Sequence, residues 1–241
     1  MTMSRITQND DPRAHWRAVY ETRAPTEVSW YEPVPRRSLE LIQAAGLPPG
    51  SALLDVGGGA STLADHLLEM GFTDVTVLDI AETALARARA RMGSAATRVQ
   101  WISADVTAWE PTRRYDLWHD RAVFHFLVDP ALRARYVAVL RAALAPHGHV
   151  VMATFGPEGP TRCSGLDVQR YSARQLGAVL GPGFRLVRDH LEDHVTPAGR
   201  RQQFLYGWWQ AEPGPSSWRP AAEVTDRERA ALAGERRPKG P

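Results

Sequence analysis

Short apolar runs alternate with amphipathic segments through much of the chain. The apolar runs predict buried strands at Ala52–Val56, Asp74–Asp79, Val99–Ser103, Tyr115–Asp120 and His149–Phe155. The amphipathic segments predict helices at Arg37–Ala45, Thr62–Met70, Ala81–Met92 and Leu132–Leu144. Strands that alternate with helices at this spacing form βαβ units, so the pattern predicts an α/β fold with a parallel sheet.

The pattern changes after Gly156. Ser172 is a candidate N-cap for a helix that runs through Leu180. The segments Phe184–Thr196 and Arg201–Gln210 predict two strands, and the short turn between them makes the pair antiparallel. We therefore divide the chain into an N-terminal helical and aromatic segment (1–36), an α/β domain (37–210) and a tail (211–241). The tail is rich in proline and charge, and we expect it to be mostly disordered.

Composition narrows the class of protein. A chain of 241 residues is long enough for one α/β domain, and a net charge of +2 does not favour a nucleic-acid partner. Cys163 is the single cysteine, so an intramolecular disulfide is excluded, and one cysteine with scattered histidines does not predict a metal site. The chain has neither a secretory signal pattern nor an apolar run of membrane-spanning length, so we expect a cytoplasmic protein without a membrane partner.

The most informative segment is Leu53-Leu54-Asp55-Val56-Gly57-Gly58-Gly59-Ala60-Ser61, a strand that leads through glycines into a helix. Glycine permits close approach of a ligand to the backbone, and the helix start offers unpaired N–H groups. Asp79, Asp105 and Asp120 lie at or near the ends of the next three strands. Each acid alone could be a helix cap or a surface carboxylate. Because the carboxyl ends of parallel strands share one edge, the four acids together predict a ligand site there.

The order and spacing of these segments resemble the motifs of class I S-adenosyl-L-methionine (SAM)-dependent methyltransferases. The runs LLDVGGGAS, VTVLDI, SADV and YDLWHD resemble the first four motifs, with Ser61 where many members have a third glycine. The resemblance implies a Rossmann-like three-layer sandwich, in which a seven-stranded, mostly parallel sheet ends in an antiparallel hairpin. It also implies SAM as the cofactor.

The resemblance assigns roles to individual residues. Asp55 and the glycines Gly57, Gly58 and Gly59 would lie along the methionine half of SAM. Asp79 would hold the ribose, Ile80 would pack on the adenine, and Asp105 with the Val106 backbone would bind the adenine edge. The aromatic residues Trp16, Tyr20 and Trp30 resemble a lid that closes over SAM, where a ring attracts the sulfonium. Alternatively, these rings only pack over the sheet edge.

The acceptor side is predicted around the end of the fourth strand. Asp120 is expected beside the reactive centre, as a catalytic residue that also contacts the cofactor. His119 and His125 are candidate general bases, although a lone histidine is more often structural. Arg121 is expected to bind a carboxylate of the acceptor or of SAM, or to pair with Asp120. Tyr31 and Cys163 are further candidates for the acceptor pocket, with a buried, inert thiol as the alternative for Cys163.

These features predict transfer of the SAM methyl group to a nitrogen, oxygen or sulfur atom of a small-molecule acceptor. A protein-lysine methyltransferase remains an alternative, since Trp30-Tyr31 and the Asp120-Arg121 step resemble that group, although Ala122 replaces its glycine. The alternative of a thiol or metalloid methyltransferase is supported by Cys163 alone. A non-catalytic SAM-binding protein is a further class, and a dinucleotide-dependent dehydrogenase is disfavoured by Thr62 in place of Gly or Ala.

Overall fold

The apolar runs form the middle of a seven-stranded sheet in a computed structural model that describes residues 11–212. Its strands are β1 (Ala52–Val56), β2 (Asp74–Asp79), β3 (Val99–Ser103), β4 (Tyr115–Arg121), β5 (Leu144–Phe155), β8 (Phe184–Val195) and β9 (Arg201–Ala211). The order across the sheet is β3-β2-β1-β4-β5-β9-β8. The first five strands are parallel, and β9 runs antiparallel between β5 and β8. The predicted sheet, including its antiparallel final hairpin, is therefore confirmed.

Helices cover both faces of this sheet. They are α1 (Pro12–Thr22), α2 (Arg36–Ala44), α3 (Leu63–Glu69), α4 (Glu82–Met92), α5 (Pro130–Ala143) and α6 (Ala173–Leu180). Short 3-10 helices span Pro25–Glu27, Gly93–Arg98 and Phe124–Phe126. None of the helices within residues 11–212 is long and apolar enough to cross a membrane. Most of the predicted tail, from residue 213 onward, lies outside the described residues.

Alternate side chains of the central strands supply two separate cores. On one face, Leu53 of β1 and Leu117 of β4 pack in a cluster with α2 and α3. On the other face, Leu54 and Trp118 pack with residues of α5 and α6. All five residues of β1 are buried, as expected for a strand covered on both faces. This three-layer packing holds the carboxyl ends of the strands in fixed positions along one edge.

Two features of the backbone differ from the predictions. Strand β5 begins at Leu144 rather than His149, because the predicted turn is taken up within the strand, where His147 has a φ of 60°. A two-stranded ribbon, formed by β6 (Arg162–Cys163) and β7 (Leu166–Asp167), follows β5 and was not predicted. Ser164 and Gly165 make its tight turn with positive φ angles of 50° and 83°.

Candidate active site

A cavity of about 790 Å³ opens at the carboxyl ends of β1, β2 and β4. This volume is within the range of small-molecule and cofactor sites. Several residues predicted to bind the cofactor contribute to the wall: Trp16, Tyr20, Trp30, Gly57, Asp79, Ile80, Asp105 and Val106. The structure thus brings together residues from α1, from the loop before α2 and from three strand ends.

The glycine turn after β1 has no room for side chains. Gly57 has a φ of 66°, and a Cβ atom there would lie 1.9 Å from Val123 Cγ2. At Gly59, which also has a positive φ, a Cβ atom would lie 2.9 Å from Tyr20 Oη and 3.0 Å from Asp79 Oδ2. The absence of side chains therefore lets the lid tyrosine and the β2 carboxylate approach the turn, as a backbone cradle for a ligand requires.

Asp79 supplies a buried carboxylate to the cavity wall. Its Oδ1 atom accepts a hydrogen bond from Ala81 N at 2.7 Å, and Asp79 as a whole is only 6% exposed. Burial raises the pKa of Asp79 to about 7, against the effect of backbone hydrogen bonds such as that of Ala81. A carboxylate that is costly to keep charged gains from polar hydrogen atoms on a bound ligand.

Asp105 and Val106 form the next part of the wall beside β3. The Asp105 Oδ1 atom accepts hydrogen bonds from the backbone N and from Oγ1 of Thr107, both at 2.8 Å. These bonds fix the turn after β3, so the Asp105 side chain is held in place at the cavity. Ile80, which follows Asp79 directly, adds an apolar surface. The pairing of a fixed acid with apolar neighbours suits a planar ring with polar edges.

An aromatic cover lies across the cavity from the strand ends. Trp16 of α1 packs edge-on against Trp30, with ring centroids 5.8 Å apart, and against Phe126, at 4.9 Å. Tyr20, one turn further along α1, is buried, and burial together with the Asp79 charge raises its pKa far above the ordinary value. The predicted lid therefore reaches the cavity in this structure.

A narrower pocket of about 50 Å³ adjoins this cavity, and Tyr20, Trp30, Gly57 and Arg121 line both. Asp55, Gly58 and Tyr31 lie on the narrow pocket only. Asp55 Oδ1 lies 2.7 Å from His119 Nδ1. Residues predicted to bind the methionine half of SAM thus line the narrow pocket, and those predicted to bind the adenosyl half line the large cavity. Gly57 lines both.

Arg121 does not pair with Asp120. Its Nε atom donates to Tyr206 Oη at 2.9 Å, while its two terminal nitrogens donate to Trp30 O and Glu32 Oε1, both at 2.7 Å. The guanidinium also lies over the Phe204 ring, 5.0 Å from its centroid. Protein groups thus accept hydrogen bonds from three of the five N–H groups of Arg121, one on each nitrogen.

Asp120 does not lie on the wall of either pocket, contrary to its expected position beside the reactive centre. It is fully buried and accepts hydrogen bonds from Tyr136 Oη and from the backbone nitrogens of Val123 and Phe124. Burial raises the pKa of this carboxyl group to about 6, although these bonds oppose the shift. The Asp120 side chain instead contacts Tyr136 of α5, and Ala122 and Val123 line the cavity.

The two histidines proposed as bases are both buried, and of the two only His119 lines a pocket, the narrow one. His119 lies between Asp55 and Ser38, whose Oγ atom is 2.9 Å from Nε2. His125 is fully buried, its Nδ1 atom accepts from Phe155 N at 3.2 Å, and burial lowers its pKa to about 3. Neither ring lines the large cavity. These positions fit the structural alternative better than proton transfer to an acceptor.

Cys163 occupies a core position rather than the cavity. Its residue is 6% exposed, its Sγ atom lies 3.9 Å from Ser29 Oγ, and burial raises its pKa. Conversely, several wall residues were not identified from sequence: His15, Leu127, Leu132, Leu166 and Asp167. Leu166 and Asp167 belong to the unpredicted ribbon. The position of His15, one residue before Trp16 on a helix expected to form a lid, was the available signal for that residue.

Comparisons with known proteins agree with this architecture. A family model described as a methyltransferase domain matches residues 53–148. The chain is 33% identical over 103 residues to Nodulation protein S from Sinorhizobium fredii, a match that covers 43% of this chain and 47% of that protein. It is 26% identical over 98 residues to the eEF1A lysine and N-terminal methyltransferase of Mus musculus, covering 40% of this chain and 14% of that protein. The matches thus span about half of these curated relatives or less.

A solved structure extends the likeness to most of the fold. The Burkholderia thailandensis 1,6-didemethyltoxoflavin-N1-methyltransferase, solved with bound 1,6-didemethyltoxoflavin and S-adenosylhomocysteine (SAH), has a TM-score of 0.60 at 21% identity. The alignment covers 83% of this chain and 84% of that one. Residues 53–148 thus match a methyltransferase domain, and the solved structure shares the fold of this chain.

Proposed function

We propose that this chain binds SAM in the large cavity and the adjoining narrow pocket and transfers its methyl group to a nitrogen atom of a small-molecule acceptor. The observation that carries this proposal is the joint placement of Asp79 and Asp105, at the ends of neighbouring strands, on one cavity that continues past Gly57. A carboxylate beside a side-chain-free turn suits the ribose of an adenosyl group, and a second acid suits the adenine amine.

Each part of the site has a distinct role in this proposal. Asp79 accepts the ribose hydroxyls, and Ile80 and Val106 pack against the adenine, whose edge Asp105 and the Val106 backbone bind. Asp55 and the turn Gly57–Gly59 surround the methionine part at the narrow pocket. Tyr20 and Trp30, which line both pockets, cover the region where the two parts of the cofactor meet.

When bound, SAM supplies an electrophilic methyl group on a positively charged sulfur atom. The chain has to hold the acceptor nitrogen in line with that group and to exclude water. The aromatic cover performs the second task, and its rings also stabilise a cation close to them. A nitrogen that enters as a neutral amine attacks with its lone pair, so neither His119 nor His125 is required as a base.

Apolar residues of the cavity wall support a small, largely apolar acceptor. Phe126, Leu127, Leu132 and Leu166 line the cavity, together with Asp129 and Asp167. By its name, the solved Burkholderia protein is an N1-methyltransferase of 1,6-didemethyltoxoflavin, which supports a nitrogen acceptor here. The thiol or metalloid alternative loses its support, because Cys163 does not line the cavity.

A protein acceptor is the second candidate, favoured by the partial match to a lysine and N-terminal methyltransferase. A nitrogen acceptor is common to both candidates. They differ in whether a whole protein must approach the cavity, to whose wall α1 and the β6–β7 ribbon both contribute residues.

Methyl-labelled SAM distinguishes these possibilities. The full chain is incubated with labelled SAM and, in parallel, with a panel of primary, secondary and heteroaromatic amines, with the small-molecule fraction of a cell extract, and with its protein fraction. We expect label in a small molecule. Label in a protein band would favour the second candidate, and binding of SAM without transfer to any fraction would indicate a non-catalytic SAM-binding protein.

A further inference from the structure

Arg121 connects the central sheet to the loop that carries Trp30 of the lid. The segment 28–32, here called the lid loop, connects the 3-10 helix Pro25–Glu27 to the turn before α2. Arg121 comes from the end of β4, in the middle of the sheet. Its terminal nitrogens donate to the main-chain oxygen of Trp30 and to the carboxylate of Glu32, so one guanidinium binds two residues of the lid loop.

The guanidinium is itself firmly placed. Its side chain is 10% exposed, Nε donates to Tyr206 Oη of β9 in the same sheet, and the Phe204 ring lies beneath it. A planar guanidinium that is stacked and hydrogen-bonded loses little further freedom when it binds another group. Arg121 therefore holds the lid loop in a fixed position relative to the sheet.

A second side chain from the sheet binds the same loop. His194 of β8 places Nε2 at 2.7 Å from Ser29 O and Nδ1 at 3.3 Å from Glu32 Oε1. Burial opposes the charge on Glu32, but His194 and Arg121 outweigh this effect, and the pKa of Glu32 lies below its usual range. The main-chain oxygens of residues 29 and 30 and the side chain of residue 32 are all held, so the loop has a defined position.

The held residue, Trp30, is the one that covers the cavity. Its side chain lines both pockets and packs edge-on against Trp16, which in turn packs against Phe126. A shift of the Trp30 main chain would therefore change the aromatic cover on both sides of the cofactor region. No contact between Arg121 and a ligand is needed for this effect.

We propose that Arg121 is a positioning residue: by binding the Trp30 carbonyl and Glu32, it holds the Trp30 ring over the cavity and slows the departure of SAM and SAH. This inference rests on the proposed function, because it takes SAM and SAH as the occupants of the cavity. It replaces the sequence-based expectation that Arg121 binds a carboxylate of the substrate or the cofactor.

The test is the dissociation rate of SAH, measured by stopped-flow tryptophan fluorescence on the full chain. Arg121→Lys keeps the charge but cannot reach the three acceptors together. The loss of one or two charged hydrogen bonds corresponds to roughly 10- to 100-fold faster dissociation. Arg201→Lys is the matched control, because Arg201 pairs with Asp193 on an exposed part of the hairpin. We expect it to leave the rate unchanged.

A double variant separates positioning from general loosening of the fold. If Arg121 acts through Trp30, Arg121→Lys should change the rate less than twofold in a Trp30→Ala background. The inference would be overturned if Arg121→Lys accelerated SAH dissociation by the same factor with and without Trp30. It would also be overturned if Arg121→Lys released SAH at the wild-type rate. Should Arg121→Lys fail to fold by circular dichroism, Glu32→Gln takes its place, with a smaller acceleration expected under the same dependence on Trp30.

Failure of the proposed function has a different signature. If the wild-type chain takes up no SAH at millimolar concentration, the proposed cofactor site itself is wrong, and the positioning role falls with it. If the wild type binds SAH but Arg121→Lys releases it at the same rate, only the positioning role is wrong and the proposed cofactor site stands.

Discussion

Two buried aspartates, near the ends of the strands that flank β1, perform different tasks. Asp79 lies on the cavity wall, whereas Asp120 faces inward and binds Tyr136 and two backbone nitrogens. Burial raises the pKa of both, to about 7 and about 6. The raised pKa therefore does not identify the ligand-binding acid, and the position of the side chain does.

Asp79→Asn should stabilise the ligand-free protein at pH 8. The folded state holds the carboxyl group with a pKa of about 7 against an ordinary value of 3.8. The wild type is thus favoured at low pH, and this stability is lost as pH rises from about 4 to 7. Above pH 7 the penalty is on the order of 2–4 kcal/mol, which the amide avoids. Thermal unfolding at pH 8 and pH 4 checks this.

The expected result is a higher melting temperature for Asp79→Asn at pH 8 and no gain at pH 4. Asp193→Asn, on the exposed hairpin, serves as the control and should change neither value. If Asp79→Asn melted at or below the wild-type temperature at pH 8, burial of the charged Asp79 would not destabilise the free protein.

Asp120→Ala should act mainly on stability. The substitution leaves two backbone N–H groups and the Tyr136 hydroxyl without their common acceptor in a fully buried place. Unsatisfied buried groups of this kind cost about 3–5 kcal/mol together. We expect a large loss in urea unfolding while any folded fraction retains the wild-type affinity for SAH. Full stability together with lost SAH binding would return Asp120 to the cofactor site.

At the scale of elements, the strands were more predictable than the segments that cover the site. The bounds of β1, β2 and β3 agree with the sequence prediction. Strands β1 and β2 are buried almost throughout, as expected for mainly apolar strands covered on both faces. The ribbon β6–β7 has two residues per strand and leaves no periodic pattern. The glycine turn, Asp79 and Asp105 were found from spacing along the chain. The contacts of Arg121 were not, since Glu32 and Tyr206 lie 89 and 85 residues away.

The aromatic cover of α1 should distinguish SAM from SAH. SAM carries a positive charge at sulfur and SAH does not, so a ring near the sulfur favours SAM by about 0.5–2 kcal/mol. Trp16→Ala should therefore reduce the ratio of SAM affinity to SAH affinity by roughly 2- to 30-fold. Calorimetric titration with both ligands gives this ratio. Trp101→Ala, on β3 beside Arg89, is the control. An equal loss for both ligands would mean that Trp16 only encloses the site.

At the scale of the whole molecule, one edge of the sheet combines three components. The strand ends supply acids, the turn after β1 supplies open backbone, and α1 with the lid loop supplies aromatic rings. Two cores fix the strands, while Arg121 and His194 connect the lid loop to the sheet. The cofactor site is thus assembled from segments that are distant in sequence, and its integrity depends on the complete domain rather than on the glycine motif alone.

Titration of the full chain with SAH at pH 8 and pH 6, compared with Asp79→Asn, tests the central claim most directly. We predict uptake of one SAH per chain by the wild type, with affinity that falls roughly tenfold at pH 6, where Asp79 with its pKa of about 7 is protonated. Asp79→Asn should bind more weakly, and its affinity should not change between the two pH values. No uptake of SAH by the wild type at millimolar concentration would contradict the assignment of this cavity to SAM.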